Sequence, residues 1–234
     1  MLHLLVDSAL LQACCQKVSF LCDACVVSLF FSKFAYMNND ITNTGTWSEN
    51  VILVDTDYID KVAFDLIVNF ERMIGRRIPP ADMARWIDCV ALDGGLREGK
   101  SETHVVLIHD KKNPQMDNFA PSAYDAELNG KAFNDSLGEF VISSFPVEDM
   151  VGKDDFFIEV LEEACRHKEV KRIMVVPDAE RMYDDVRHAL RFVDDEKRIT
   201  VFAMQPMPGG NFRQEILGYS LMSALGIRAD EIRE

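Results

Sequence analysis

The sequence predicts an α/β protein in three layers: an open, mainly parallel sheet of about five strands with helices on both faces. Short apolar runs alternate with helical patterns along most of the chain. The first run, Val51-Ile52-Leu53-Val54, is continuous rather than alternating, as expected of a strand buried on both faces at a sheet's centre. It breaks at once into Asp55-Thr56-Asp57, and an amphipathic helix follows. Asp55 and Asp57 are therefore expected at the carboxyl edge of a central strand, where open α/β sheets bind ligands.

The remaining elements follow in order. Ile59, Val62, Ala63, Leu66, Ile67, Phe70, Met73 and Ile74 recur at helical spacing, and Gly75 stops that helix. Pro79-Pro80 opens a second helix with the inward stripe Met83, Trp86, Ile87, Val90 and Ala91, closed by Asp93-Gly94-Gly95. His104–His109 reads as the second strand and ends in Asp110. Residues 111–138 are polar and turn-rich, with at most a short helix near Ser122–Leu128. A functional flap and an ordered surface excursion both fit that stretch.

Glu139–Ser144 is the third strand, and Phe156, Phe157, Val160, Leu161 and Ala164 mark the next helix. Lys171–Val176 is the fourth strand, broken by Pro177-Asp178-Ala179-Glu180. A helix then buries Met182, Tyr183, Val186, Ala189, Leu190 and Val193. Ile199–Met204 is the fifth strand, and a last helix is expected over about Phe212–Leu225, with Ile216, Leu217, Ser220, Leu221, Ala224 and Leu225 inward.

Composition narrows the function classes. With 234 residues, 48% hydrophobic, and a mean hydropathy of -0.05, the chain suits one soluble α/β domain. A net charge of -14 argues against avid binding to a phosphate backbone, which calls for a basic face. Cys89 and Cys165 sit at apolar helical positions and read as reduced core thiols, in keeping with the cytoplasm. Cys14, Cys15, Cys22 and Cys25 lie in Met1–Tyr36, where no His or second spaced pair completes a usual zinc site. Its apolar runs, interrupted by Asp7, Lys17, Asp23 and Lys33, are too short to span a bilayer, so no membrane association is expected. Residues 1–50 read as an N-terminal extension with Met37 as the expected native start, and 51–234 as the single domain.

Three strands end in acids at one edge: Asp55 with Asp57, Asp110, and Asp178 with Glu180. Clustered carboxylates repel one another unless a cation sits between them, and hard ions such as Mg²⁺ or Mn²⁺ suit that role. The plainer reading is that Asp57 or Asp178 caps a helix or closes a turn. Convergence toward solvent would favour metal chemistry; acids tied up as caps and ion pairs would favour a catalytically silent protein. Arg72, Arg76, Arg77 and Arg85, with Lys61, form the densest basic cluster, suited either to an RNA backbone or to a solvated face. Pro208-Gly209-Gly210-Asn211 fits a plain loop, or a phosphate cradle at the N-terminus of the last helix. It matches neither a P-loop nor a dinucleotide fingerprint.

Asp55-Thr56-Asp57 after the first strand and Asp178-Ala179-Glu180 after the fourth resemble the two acidic motifs of the PIN-like and NYN-like Rossmann-related nucleases. Two helices between the first and second strands add to that likeness. Asp57 stands where that group has Asn, Glu180 where it has Asp, and Pro177 where it has Ser or Thr. The resemblance covers residues 51–204. It implies a Rossmann-like, PIN-like fold and a divalent-metal-dependent ribonuclease, with Asp55, Asp57, Asp178 and Glu180 catalytic. Asp55, Asp178, Glu180 and Asp110 would be ligands of Mg²⁺ or Mn²⁺. From Met37 the chain is also similar to an uncharacterised family of Bacteroidales-type bacterial proteins, which implies no activity. The alternative expectation is a catalytically inactive α/β protein, alone or as a homo-oligomer, that binds a protein partner or small ligand at the same edge.

Overall fold

A computed structural model describes residues 47–148, 152–194 and 196–232. From Trp47 onward the chain forms one compact unit. The expected native start at Met37 and the four N-terminal cysteines lie outside the described residues.

The first strand, β1 (Asn50–Asp55), is buried along its whole length, as its unbroken apolar run requires. It lies between β3 (Ser101–Asp110) and β7 (Arg172–Val176), parallel to both. β6 (Gly138–Val147) extends the sheet beyond β3, while β8 (Arg198–Ala203) and β9 (Arg213–Ile216) extend it beyond β7. With the antiparallel edge strand β5 (Lys131–Asp135), the seven-stranded order is β5-β6-β3-β1-β7-β8-β9. Chain order runs outward from β1 on one side through β3 and β6, then crosses to β7 and runs outward on the other. The direction reverses between β1 and β7, the place where open α/β sheets form a crevice outside their carboxyl ends.

Helices cover both faces. Helix α1 (Thr56–Ile74) and α2 (Met83–Asp93) pack with α5 (Leu217–Ala224) over Ile52, Val54, Met174, Val176 and Phe202. Helix α3 (Lys153–Arg166) lies on the opposite face against β1, β3 and β7, burying Phe156, Phe157, Val160, Leu161 and Ala164. Next to it packs α4 (Tyr183–Ala189), extended by a single 3₁₀ turn, Leu190–Phe192. At Gly75 the backbone turns left-handed (φ 67°) to end α1, a conformation that favours glycine.

Several sequence expectations need correction. The sheet has seven strands rather than about five, because β5 and β9 carry too few apolar residues to announce themselves. The predicted helix over Phe212–Leu225 begins only at Leu217. Residues 213–216 pair instead with Thr200–Ala203, since an open sheet edge satisfies more backbone groups there than an exposed helical turn would. Pro79-Pro80 does not open α2; Ala81–Asp82 forms a short strand, β2, and Asp82 caps the helix. Met73 was expected inward and is 64% exposed, because α1 outruns the sheet and only its first half is fully covered.

Residues 111–138 form an ordered excursion rather than a bare loop. Phe119–Ala120 (β4) pairs with β2, and Tyr124–Leu128 makes one π-helical turn. Met116, Phe119, Tyr124, Leu128 and Leu137 join the core there, taking the place of a crossover helix. Among the described residues no helix is long and apolar enough to cross a membrane.

Candidate functional site

The carboxyl edge is built from the junction of β1 with α1. Asp55 adopts an extended backbone and caps α1, its Oδ1 accepting from the Tyr58 amide at 3.2 Å. The capping role therefore falls on Asp55, one of the proposed ligands, rather than on Asp57. Thr56 Oγ1 donates to the Ile108 carbonyl at 2.9 Å and accepts from the Tyr124 hydroxyl at 2.8 Å, tying this junction to β3 and the π turn. Asp60 accepts from the amides of Asp117 and Asn118, which holds the 111–118 segment against α1.

Asp57 collects three donors. Its Oδ2 accepts from the Asp110 amide at 2.8 Å and from Lys153 Nζ at 2.8 Å, and its Oδ1 accepts from Asn113 Nδ2 at 2.8 Å. Lys153 also donates to Asp55 Oδ1 at 2.6 Å, so one ammonium bridges the two carboxylates. Both carboxylates are largely removed from solvent, Asp55 completely. Burial raises the Asp55 pKa, and the opposing pull of Lys153 does not cancel that. Burial also acts to raise Asp57, but its hydrogen bonds from Lys153 and Asn113 outweigh this and hold the carboxyl low. Lys153 is desolvated as well, yet the two aspartates win and push its pKa up, so the ammonium stays charged.

Among the described residues, three buried polar atoms at this edge lack a hydrogen-bond partner: Asp55 Oδ2, the Tyr58 hydroxyl and His109 Nε2. Burial raises the Tyr58 pKa, and the charges of Glu180, Asp178 and Asp55 raise it further. The acids after β7 therefore lie within electrostatic reach of Tyr58, across the switch point. Their own contacts are local. Asp178 Oδ1 accepts from the Glu180 amide at 3.1 Å and its carbonyl accepts from Arg181 and Met182, closing a turn. Glu180 pairs with Lys61 of α1 at 3.4 Å, with both side chains over 60% exposed. Asp110 Oδ1 accepts from the Lys112 amide at 2.9 Å, again a turn.

Of the five acids singled out in the sequence, Asp55 and Asp57 meet on Lys153, while Asp110, Asp178 and Glu180 border them in separate local contacts. Among the described residues no group of three or more His, Cys, Asp or Glu side chains is arranged to hold a metal ion. The four expected ligands of Mg²⁺ or Mn²⁺ are engaged separately: Lys153 holds Asp55, Asp110 and Asp178 accept from nearby amides, and Glu180 pairs with Lys61.

Two of the arginines expected to meet RNA, Arg72 and Arg76, lie away from these acids. At 1.5 Å per residue, Arg72 is roughly 22 Å farther along α1 than Asp57. Arg76 is engaged by Glu231 at 2.7 and 2.9 Å and by the Gly226 carbonyl at 3.1 Å, a tie to the end of the described chain. The Pro208–Asn211 loop precedes a strand, so it offers no helix N-terminus to a phosphate.

Sequence reasoning missed Lys153, Asn113 and Tyr58. Lys153 did leave a signal. It is the first residue of α3, where a positive charge opposes the helix dipole and acids such as the following Asp154 and Asp155 are preferred. A lysine in that position needs compensation from elsewhere, and Asp55 and Asp57 provide it. His109, stacked on Tyr124 at 3.7 Å, has its pKa lowered by burial. No curated protein and no solved structure matches the chain. Residues 44–232, most of its length, match a family of unknown function, DUF6621, and the chain belongs to that family.

Proposed function

We propose that the carboxyl edge around Asp55, Asp57 and Lys153 binds a small ligand and hydrolyses nothing: a catalytically silent α/β protein using the usual crevice of its sheet. The bridging ammonium of Lys153, 2.6 Å and 2.8 Å from the two carboxylates, carries this reading. A built-in cation offsets part of the acids' charge and stands where a metal would have to compete with it. Asp55 Oδ2 and the Tyr58 hydroxyl are buried without partners, so a ligand that donates a hydrogen bond is favoured there once the edge opens to admit it. Asn113 and the Asp110 amide fix Asp57 from the other side, so the edge is held in shape before anything binds.

A second reading keeps the PIN-like ribonuclease, with Asp55, Asp57, Asp178 and Glu180 as its acids. It is favoured by the acceptor left open on Asp55 and by the Asp178–Glu180 pair across the switch point. It requires Lys153 to give way to Mg²⁺ or Mn²⁺, and RNA to be gripped by groups other than Arg76. Incubation of the full chain and its Asp55→Asn variant with single-stranded RNA separates the two. With either metal present, the first reading predicts intact RNA in both samples. Metal-dependent cleavage by the wild type that Asp55→Asn abolishes would establish the second reading and end the first.

A further inference from the structure

The opposite edge of the sheet holds a cavity that the acidic composition hides. It measures about 530 Å³ and opens where β7, β8 and β9 begin, next to the turn that leaves α2. That volume lies within the range of small-molecule sites. Five of its lining residues are cationic, Arg97, Arg172, Lys197, Arg198 and Arg213, and no acid lines it among the described residues. In a chain of net charge -14 such a concentration is opposed by nothing in its own walls.

The cations are positioned but not neutralised. Arg172 donates from Nη1 to the Gly94 carbonyl at 2.6 Å, while its buried Nε has no partner. Gly95 allows this approach: its φ is +86°, and a Cβ there would stand 2.9 Å from Arg172 Nη1. Arg97 donates to the carbonyls of Leu92 and Leu96, and Lys197 to those of His167 and Val170. Among the described residues, Arg213 is the one of these five with an ion-pair partner, Glu215. Arg198 makes no side-chain hydrogen bond or ion pair among the described residues. Burial lowers the Arg172 pKa, and the charges of Arg198 and Arg97 lower it further, against a small counter-effect from Glu49. Like charges gathered in a concave site, with planar guanidinium forks among them, are the arrangement that recognises phosphate oxygens. Phe212, edge-on to Tyr183, adds an aromatic surface to the same wall.

We propose that this basic cavity binds a small anion carrying a di- or triphosphate group, the class found on nucleotides. It stands apart from the acidic edge and does not depend on what that edge does. Calorimetric titration of the full chain with inorganic pyrophosphate, and separately with ADP, tests it. Both probes bind the wild type, and Arg198→Glu and Arg97→Glu each weaken binding by about tenfold or more, Arg198→Glu while leaving the melting temperature in place. Tighter binding of ADP identifies a nucleotide as the source and assigns Phe212 to the base; equal binding identifies the phosphates alone. Absence of heat with both probes, or affinity unchanged in both variants, overturns the proposal. So does binding of a single-stranded RNA oligonucleotide with none of pyrophosphate, since the cavity would then read a backbone.

Discussion

The two edges of this sheet solve the problem of clustered charge in opposite ways. At the carboxyl edge, Asp55 and Asp57 are gathered around a cation that the chain itself supplies, and Lys153 is held charged by them. At the amino edge, Arg97, Arg172 and Arg198 crowd one another with carbonyls for company, and the Arg172 pKa is driven down. One edge carries its own counter-ion, and the other relies on backbone carbonyls. The difference teaches what each edge selects: the acidic edge already holds a cation and suits a hydrogen-bond donor, while the basic edge suits an anion.

The sharpest way to break this contrast is to remove one cation from each side. Lys153→Ala strands a buried carboxylate pair and should cost about 3–5 kcal/mol in chemical denaturation. Arg198→Ala should leave stability unchanged or slightly raised, because it relieves repulsion on Arg172. Equal losses from the two changes would contradict the account. Gly95→Ala comes next, since it forces a side chain into a left-handed backbone and against Arg172; about 1–3 kcal/mol should be lost. The same change should weaken pyrophosphate binding, linking backbone conformation to the cavity.

Titration sharpens the contrast further. Lys153 has a folded pKa raised above its ordinary 10.5, so its stabilising contribution is complete below that value and drains away as pH rises through the folded pKa. The stability gap between wild type and Lys153→Met, followed by denaturant unfolding, should stay level from neutral pH to about pH 10 and close above it. A gap that closed on acidification alone would mean that the aspartates, not the lysine, set the edge's pH response. The smallest effect is expected from Glu180→Gln. Its pair with Lys61 is exposed on both sides, and its loss should cost less than about 1 kcal/mol by the same unfolding assay.

The sequence made the centre of the fold legible because β1 and α2 are written in one unambiguous pattern each. A continuous β-branched run can only be a strand covered twice, and Met83, Trp86, Ile87, Val90 and Ala91 are all buried as their spacing required. What was hidden lies at the sheet's periphery. Arg213-Gln214-Glu215 has no apolar alternation, so β9 exists only because β8 offers an edge to pair with. The site was half visible. Asp55 and Asp57 follow from strand polarity, but Lys153 is 96 residues from Asp57 and reaches it only through the crossover from β6 to α3. The basic cavity left a trace as well: Arg172, Arg198 and Arg213 each open a strand, and parallel strands place their first residues on one edge.

The central claim is that Lys153 has taken the place of a metal between Asp55 and Asp57. Calorimetric titration of the wild-type chain with Mn²⁺ tests it most directly, with Lys153→Met and Asp55→Asn as companions. The account predicts no wild-type binding that depends on Asp55. Micromolar binding in the wild type that disappears in Asp55→Asn would contradict it.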